Sequence, residues 1–108
     1  MTYEELVNKV KTAAKKADAS GISDHIAFQF NVTGEAQGAF YLEITGGKVV
    51  VEPYEYYDRD VLITSSADDI IKMMNGKLDP VMAFTLQKIK VEGDLGKALV
   101  LKSIVKKK

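Results

Sequence analysis

The chain has 108 residues and a mass of 11.9 kDa, a size that predicts one domain spanning residues 1–108. Hydrophobic residues make up 46% and charged residues 28%, a balance that excludes disordered, collagen-like and coiled-coil proteins. Fifteen basic and fifteen acidic residues cancel, so no overall field favours nucleic acid or an anionic membrane as a partner. The chain has no cysteine, which excludes disulfides, thiolate metal sites and cysteine nucleophiles.

Targeting features are sparse. No apolar run approaches the ~18 residues that a membrane span needs, and the N-terminus lacks the apolar stretch of a signal peptide. We therefore expect a cytoplasmic protein. The last three residues, Lys106, Lys107 and Lys108, are interpreted as a solvated helix end, with at most transient contact with an anionic membrane surface.

Residues 3–17 have apolar side chains at helical spacing, which predicts a helix with one buried stripe. Thr2 is placed to cap this helix, and Glu5, three residues on, completes a capping box. Ser20-Gly21 is expected to end it. The stripe consists of Tyr3, Leu6, Val7, Val10, Ala13, Ala14 and Ala17.

From His25 the apolar period changes to two, which predicts strands with one buried face. Gly46-Gly47 predicts a two-residue hairpin turn, since both glycines tolerate positive φ. A third strand is expected to end at Pro53, and a fourth to cover residues 60–64. The inward residues are Ile26, Phe28, Phe30, Val32, Phe40, Leu42, Ile44, Val49, Val51, Val61 and Ile63.

Helix signals return in the second half of the chain. Ser65 or Ser66 is predicted to cap a short helix that ends at Gly76. Asp79-Pro80 predicts the start of a second short helix through about Leu86. A strand over residues 88–92 and a last helix over residues 95–105 complete an α+β fold.

No group of residues has the spacing of a catalytic or metal-binding site. His25 is the only histidine, and it lies at a predicted strand start. Asp68 and Asp69 are adjacent on a helix and therefore point in different directions. We expect neither enzymatic activity nor a bound metal or cofactor.

Three tyrosines, Tyr54, Tyr56 and Tyr57, crowd the loop before the fourth strand, beside Arg59. Such residues stack on bases or bind protein partners. The acidic residues of the same loop would repel phosphates, so nucleic acid is disfavoured. Packing of the loop on the sheet edge and contact within a homodimer both remain open.

The C-terminal half is richer in apolar residues than one helix layer requires. The last helix is apolar over most of its circumference, which indicates burial on several sides or a cavity. Met73, Met74 and Met82 lie on the two short helices, and methionine suits irregular apolar spaces. Core filling and a ligand cavity are the two interpretations.

Three adjacent segments together resemble the C-terminal signature of the sterol carrier protein 2 family. They are Gly76-Lys77-Leu78-Asp79-Pro80, Ala83-Phe84, and the run from Lys88 to Leu95. The resemblance extends over roughly residues 26–105 and includes the hairpin at Gly46-Gly47. Gln87 is a departure, since the family often has glycine before the lysine-rich strand.

The resemblance implies a five-stranded mixed sheet covered by helices around an apolar tunnel. Such a tunnel holds fatty acid, fatty acyl-CoA, phospholipid or sterol, which the protein binds and transfers without chemical change. A protein-interaction module with the same fold and a filled core, acting as a homodimer, is the alternative. The predicted lining residues are Phe28, Phe30, Phe40, Leu42, Met73, Met74, Met82, Leu99 and Ile104.

Overall fold

The computed structural model of the chain describes residues 1–105, so the predicted contact of Lys106–Lys108 with a membrane surface lies outside the described residues. The strands are β1 (Ile26–Thr33), β2 (Gly38–Thr45), β3 (Lys48–Glu52), β4 (Val61–Ser66) and β5 (Lys90–Gly93). The helices are α1 (Tyr3–Ala14), α2 (Ala67–Met74), α3 (Pro80–Thr85), α4 (Leu95–Ala98) and α5 (Val100–Ile104).

The strands form one open mixed sheet in the order β3-β2-β1-β4-β5, which confirms the predicted fold class. β1 pairs in parallel with β4, and the other neighbours are antiparallel. Phe28 lies opposite both Leu42 of β2 and Val61 of β4. Paired residues share a face, so the inward apolar side chains of β1, β2, β3 and β4 lie on one side of the sheet. We call this side the helix face.

The prediction of a single buried face was wrong for β1. Ala27 and Gln29 point away from the helix face, yet they are as buried as their neighbours. The loop over residues 53–60 crosses this second face, where the Tyr56 N–H donates to Gln29 Oε1 at 3.1 Å. The Gln29 amide also donates to Asn31 Oδ1 at 2.9 Å, so its polar atoms are satisfied despite burial.

The predicted caps are present. Thr2 and Glu5 form the capping box of α1. Asp79 caps α3 by accepting the Val81 N–H, with proline at the first helical position. Asp94 caps α4 by accepting the Lys97 N–H at 3.0 Å.

The last helix is not continuous, which corrects the prediction of one helix over residues 95–105. Regular helical bonding is interrupted at Leu99, between α4 and α5. The two pieces pack on different elements, α4 against β4 and β5, and α5 against α3. Leu101 and Ile104 of α5 are fully buried, whereas Leu95 and Leu99 are exposed. The apolar side chains expected around one helix are therefore divided between two helices that pack on different elements.

The ends of α2 and α3 have the same geometry but different residues. After α2, Gly76 has a φ of 73°, and the next N–H, from Lys77, bonds to the Lys72 carbonyl. After α3, Gln87 has a φ of 60°, and the Lys88 N–H bonds to the Ala83 carbonyl. These are Schellman ends, which favour glycine because left-handed backbone crowds a Cβ. Gln87 thus keeps the bend without the glycine.

We predict that Gln87→Gly stabilises the protein by about 0.5–1 kcal/mol. Removing the Cβ relieves the left-handed strain of about 1–2 kcal/mol, while the greater freedom of glycine in the unfolded chain offsets part of the gain. The check is urea denaturation of both proteins. Gly76→Ala, which introduces the same strain after α2, should destabilise. Lower stability of the Gln87→Gly variant would contradict this account of the bend.

Candidate functional site

An apolar groove lies beside β5 on the helix face of the sheet. Its volume is about 300 Å³, at the lower end of the range for small-molecule sites. Side chains of β4 and β5 form its floor, and α3 and α4 form its walls. The lining consists of Ile63, Pro80, Val81, Phe84, Ile89, Val91, Leu95, Gly96, Ala98 and Leu99. Each of these residues offers only hydrocarbon to a ligand, apart from the backbone.

The groove is open to solvent along its walls. Leu95 and Leu99 keep 53% and 56% of their surface exposed. Val81 and Phe84, three residues apart on α3, are exposed on the other wall. Large apolar side chains around one concave site are uncommon on a protein surface, so this groove is the candidate binding site.

Of the predicted lining residues, Leu99 lies in this groove. Met82 is on α3 but outside the lining, with 54% of its surface exposed. The rings of Phe30 and Phe40 stack with their centroids 4.9 Å apart, in the interior of the sheet. The other predicted residues are buried in the same core: Phe28, Leu42, Met73, Met74 and Ile104. Their contact with lipid stays a prediction.

The sequence analysis missed most of the groove lining. Val81 and Phe84 are three residues apart, and Leu95 and Leu99 are four apart, spacings that put each pair on one helix face. The first pair belongs to α3, and the second consists of the first residue of α4 and the residue that follows it; both helices are very short and carry further apolar side chains. That excess signals an uncovered apolar face, but only the packing shows which side stays open.

Asp60, just before β4, joins the strands to one wall of the groove. Its Oδ2 accepts the Ala27 N–H of β1 at 2.9 Å, and its Oδ1 accepts Lys97 Nζ of α4 at 3.0 Å. Its carbonyl accepts the Asp94 N–H at 2.9 Å. A Cβ at Gly93, where φ is 103°, would lie 2.4 Å from that carbonyl oxygen, so this approach requires glycine.

The ion pair between Asp60 and Lys97 is favoured at neutral pH. Burial raises the pKa of the Asp60 carboxyl, but the hydrogen bonds from the Ala27 N–H and the Lys97 ammonium outweigh it. The resulting pKa is below its ordinary value. The hydrogen bond to Asp60 raises the pKa of Lys97.

A smaller, more polar cavity adjoins the groove at Pro80. Its volume is about 240 Å³, and its lining includes Lys77, Asp79 and Lys102. Lys102 Nζ lies 2.9 Å from Asp79 Oδ2. The hydrogen bond from Lys102 lowers the pKa of the Asp79 carboxyl, so this pair is also ionised at neutral pH. Apolar and charged surfaces therefore meet at the start of α3.

A polar cluster fastens the loop on the opposite face. His25 Nε2 lies 2.5 Å from Glu43 Oε2, and the Tyr56 hydroxyl donates to the same oxygen at 2.9 Å. The hydrogen bond from His25 is the main cause that lowers the pKa of Glu43. The Tyr56 ring meets Tyr41 edge-on, with centroids 5.0 Å apart. Tyr56 thus packs the loop on the sheet, while Tyr57 is 95% exposed.

Within residues 1–105, no three His, Cys, Asp or Glu side chains are grouped as metal ligands would be. In the same part of the chain, no helix has the length and apolar content to cross a membrane.

Comparison with protein families matches residues 4–106 to the SCP-2 sterol transfer family. A curated relative, hydroxysteroid dehydrogenase-like protein 2 of Xenopus laevis, is 38% identical over 105 residues. That match covers 96% of this chain and 24% of the relative. The chain thus spans about a quarter of the length of this relative.

Two solved structures share the fold. Palmitated SCP2L2 from Aedes aegypti superposes with a TM-score of 0.68 at 21% identity, covering 97% of this chain and 95% of that one. The sec-alkylsulfatase Pisa1 from Pseudomonas sp. gives a TM-score of 0.73 at 16% identity. It covers 86% of this chain and 15% of the sulfatase chain. At these identities the likeness concerns the fold.

We predict that Asp60→Asn lowers stability by about 1–3 kcal/mol at pH 7, since the variant loses a charged hydrogen-bond partner. Because the folded pKa of Asp60 is below its unfolded value of about 3.9, its contribution is present above that pH and disappears as pH falls through the folded pKa. Urea denaturation from pH 7 to pH 3 should show the two proteins converging.

The matched control is Asp58→Asn, which removes an exposed carboxylate two residues away. It should change stability little at either pH. If the loss of stability caused by Asp60→Asn stayed constant down to pH 3, the assigned role of the carboxylate would be wrong.

Proposed function

Because the chain belongs to the SCP-2 sterol transfer family, we propose that it binds and carries lipid, with an acyl chain seated in the groove between α3 and α4. The observation that carries this proposal is the hydrocarbon lining of an open, preformed groove. The family description and the palmitated structural neighbour support a lipid ligand.

Burial of methylene groups supplies the binding energy. Each methylene removed from water contributes ~0.8 kcal/mol, and association costs offset several kcal/mol of the sum. A chain that is partly buried in the groove would then bind with a dissociation constant of about a micromolar. That affinity holds lipid and still releases it.

We propose binding without chemical change. The lining side chains supply hydrocarbon contact, and none of them is an acid, a base or a nucleophile. The size of the groove favours one acyl chain, as in a fatty acid or fatty acyl-CoA, over the two chains of a phospholipid. The headgroup would lie outside the hydrocarbon lining.

The predicted deep residues lie next to the groove floor. Ile63 on the groove floor is opposite Phe30 of β1 in the parallel register. Phe30 in turn stacks on Phe40. We propose that an acyl chain reaches these rings only by displacing packed side chains, so short chains stay in the groove.

We predict that Leu99→Asp abolishes fatty-acid uptake. A bound acyl chain would remove water from the new carboxylate without offering it a hydrogen bond, which is strongly unfavourable. Uptake of a fluorescent fatty acid from solution is the measurement. Leu99 is half exposed, so the fold should persist, and circular dichroism verifies this.

Leu86→Asp is the matched control, since Leu86 is 57% exposed, almost the same as Leu99, but lies outside the groove lining. It should retain uptake. A folded Leu99→Asp variant that binds fatty acid normally would place the ligand elsewhere.

A further inference from the structure

Exposed apolar side chains concentrate in one region. Of the ten large hydrophobic residues that are exposed within the described part of the chain, six lie between residues 81 and 99. Met82 and Leu86 are four residues apart, so they share a face along α3. Neither lines the groove, and both are more than half exposed. Ligand binding in the groove therefore does not account for them.

Two exposed lysines flank this part of α3. Lys77 precedes the helix and Lys88 follows it. Neither makes a salt bridge with any of residues 1–105, in contrast to Lys102, which pairs with Asp79. We call Lys77, Met82, Leu86 and Lys88 the α3 surface. It combines apolar side chains with uncompensated positive charge.

Charge is distributed unevenly over the neutral chain. Residues 77–90 carry a net charge of +2, and residues 52–60 a net charge of −3. The acidic loop lies across the face of the sheet opposite the groove. An anionic surface would therefore attract the α3 side of the molecule and repel the loop side.

We propose that the α3 surface docks on an anionic lipid surface. Met82 and Leu86 would enter the boundary between headgroups and acyl chains, as the apolar side chains of interfacial helices do. Lys77 and Lys88 would contact the lipid phosphates and carboxylates.

A second copy of the chain fits this surface less well. A two-fold interface places the same patch on both copies, so it would gather the four lysines of two α3 surfaces in one interface. Like charges in a dry interface are unfavourable. An anionic lipid surface satisfies the same lysines and the same apolar side chains.

Flotation with vesicles of phosphatidylcholine and phosphatidylserine tests the proposal, with pure phosphatidylcholine vesicles for comparison. The full chain should bind the anionic vesicles, and less so at high salt. Lys77→Gln with Lys88→Gln should weaken this binding about thirty-fold, from the usual contribution of each lysine near such a surface. Met82→Ser with Leu86→Ser should also weaken it.

The matched control is Lys15→Gln with Lys16→Gln, which removes two exposed lysines at the end of α1. It should leave vesicle binding within about two-fold of the wild type, since those lysines lie outside the α3 surface. The proposal would be overturned if both lysine double variants lost vesicle binding equally, or if the wild type bound neither kind of vesicle. If sedimentation showed that the wild type is a dimer and that the variant with Met82→Ser and Leu86→Ser is a monomer, the surface would belong to a second copy instead.

The docking surface and the groove are tested separately. Met82→Ser with Leu86→Ser should keep uptake of a fluorescent fatty acid from solution, because neither residue lines the groove. Loss of vesicle binding with normal uptake supports docking. Anionic-vesicle binding by a protein that takes up no fatty acid would leave docking intact and contradict the carrier proposal.

Discussion

The parallel pairing of β1 with β4 constrains the rest of the structure. β3 and β4 run in the same direction but lie on opposite sides of the β2-β1 pair, so their connection must cross the sheet. The loop over residues 53–60 makes this crossing on one face, where it buries Gln29 and is fastened by Tyr56. The helices are therefore left with the other face.

Unequal helix lengths then create the groove. α1 and α2 are long enough to cover the interior of the sheet, where Phe28, Phe30 and Phe40 are fully buried. Beside β5, the groove walls come from α3 and α4, which have just six and four residues. Asp60 holds α4 in place through Lys97, but the two short helices do not close over Ile63 and Val91.

Local chemistry made much of the fold predictable. Thr2 with Glu5, Asp79 with Pro80, and Gly46-Gly47 each determine a cap or a turn within a few residues. The groove was less predictable, because burial depends on distant packing. Phe30 and Leu99 are both apolar, but one is stacked in the core and the other is exposed beside a groove. The interruption at Leu99 likewise follows from α4 and α5 packing on different elements.

The most direct test of the account is photo-cross-linking of the protein with a fatty acid that carries a diazirine on its chain. Peptide mapping should locate the label on the groove walls, in residues 80–84 and 95–99. Labelling confined to β1 and β2, around Phe28 and Phe40, would contradict the account and place the acyl chain in the core. If unlabelled fatty acid reduces the labelling at no position, the groove is not a lipid site.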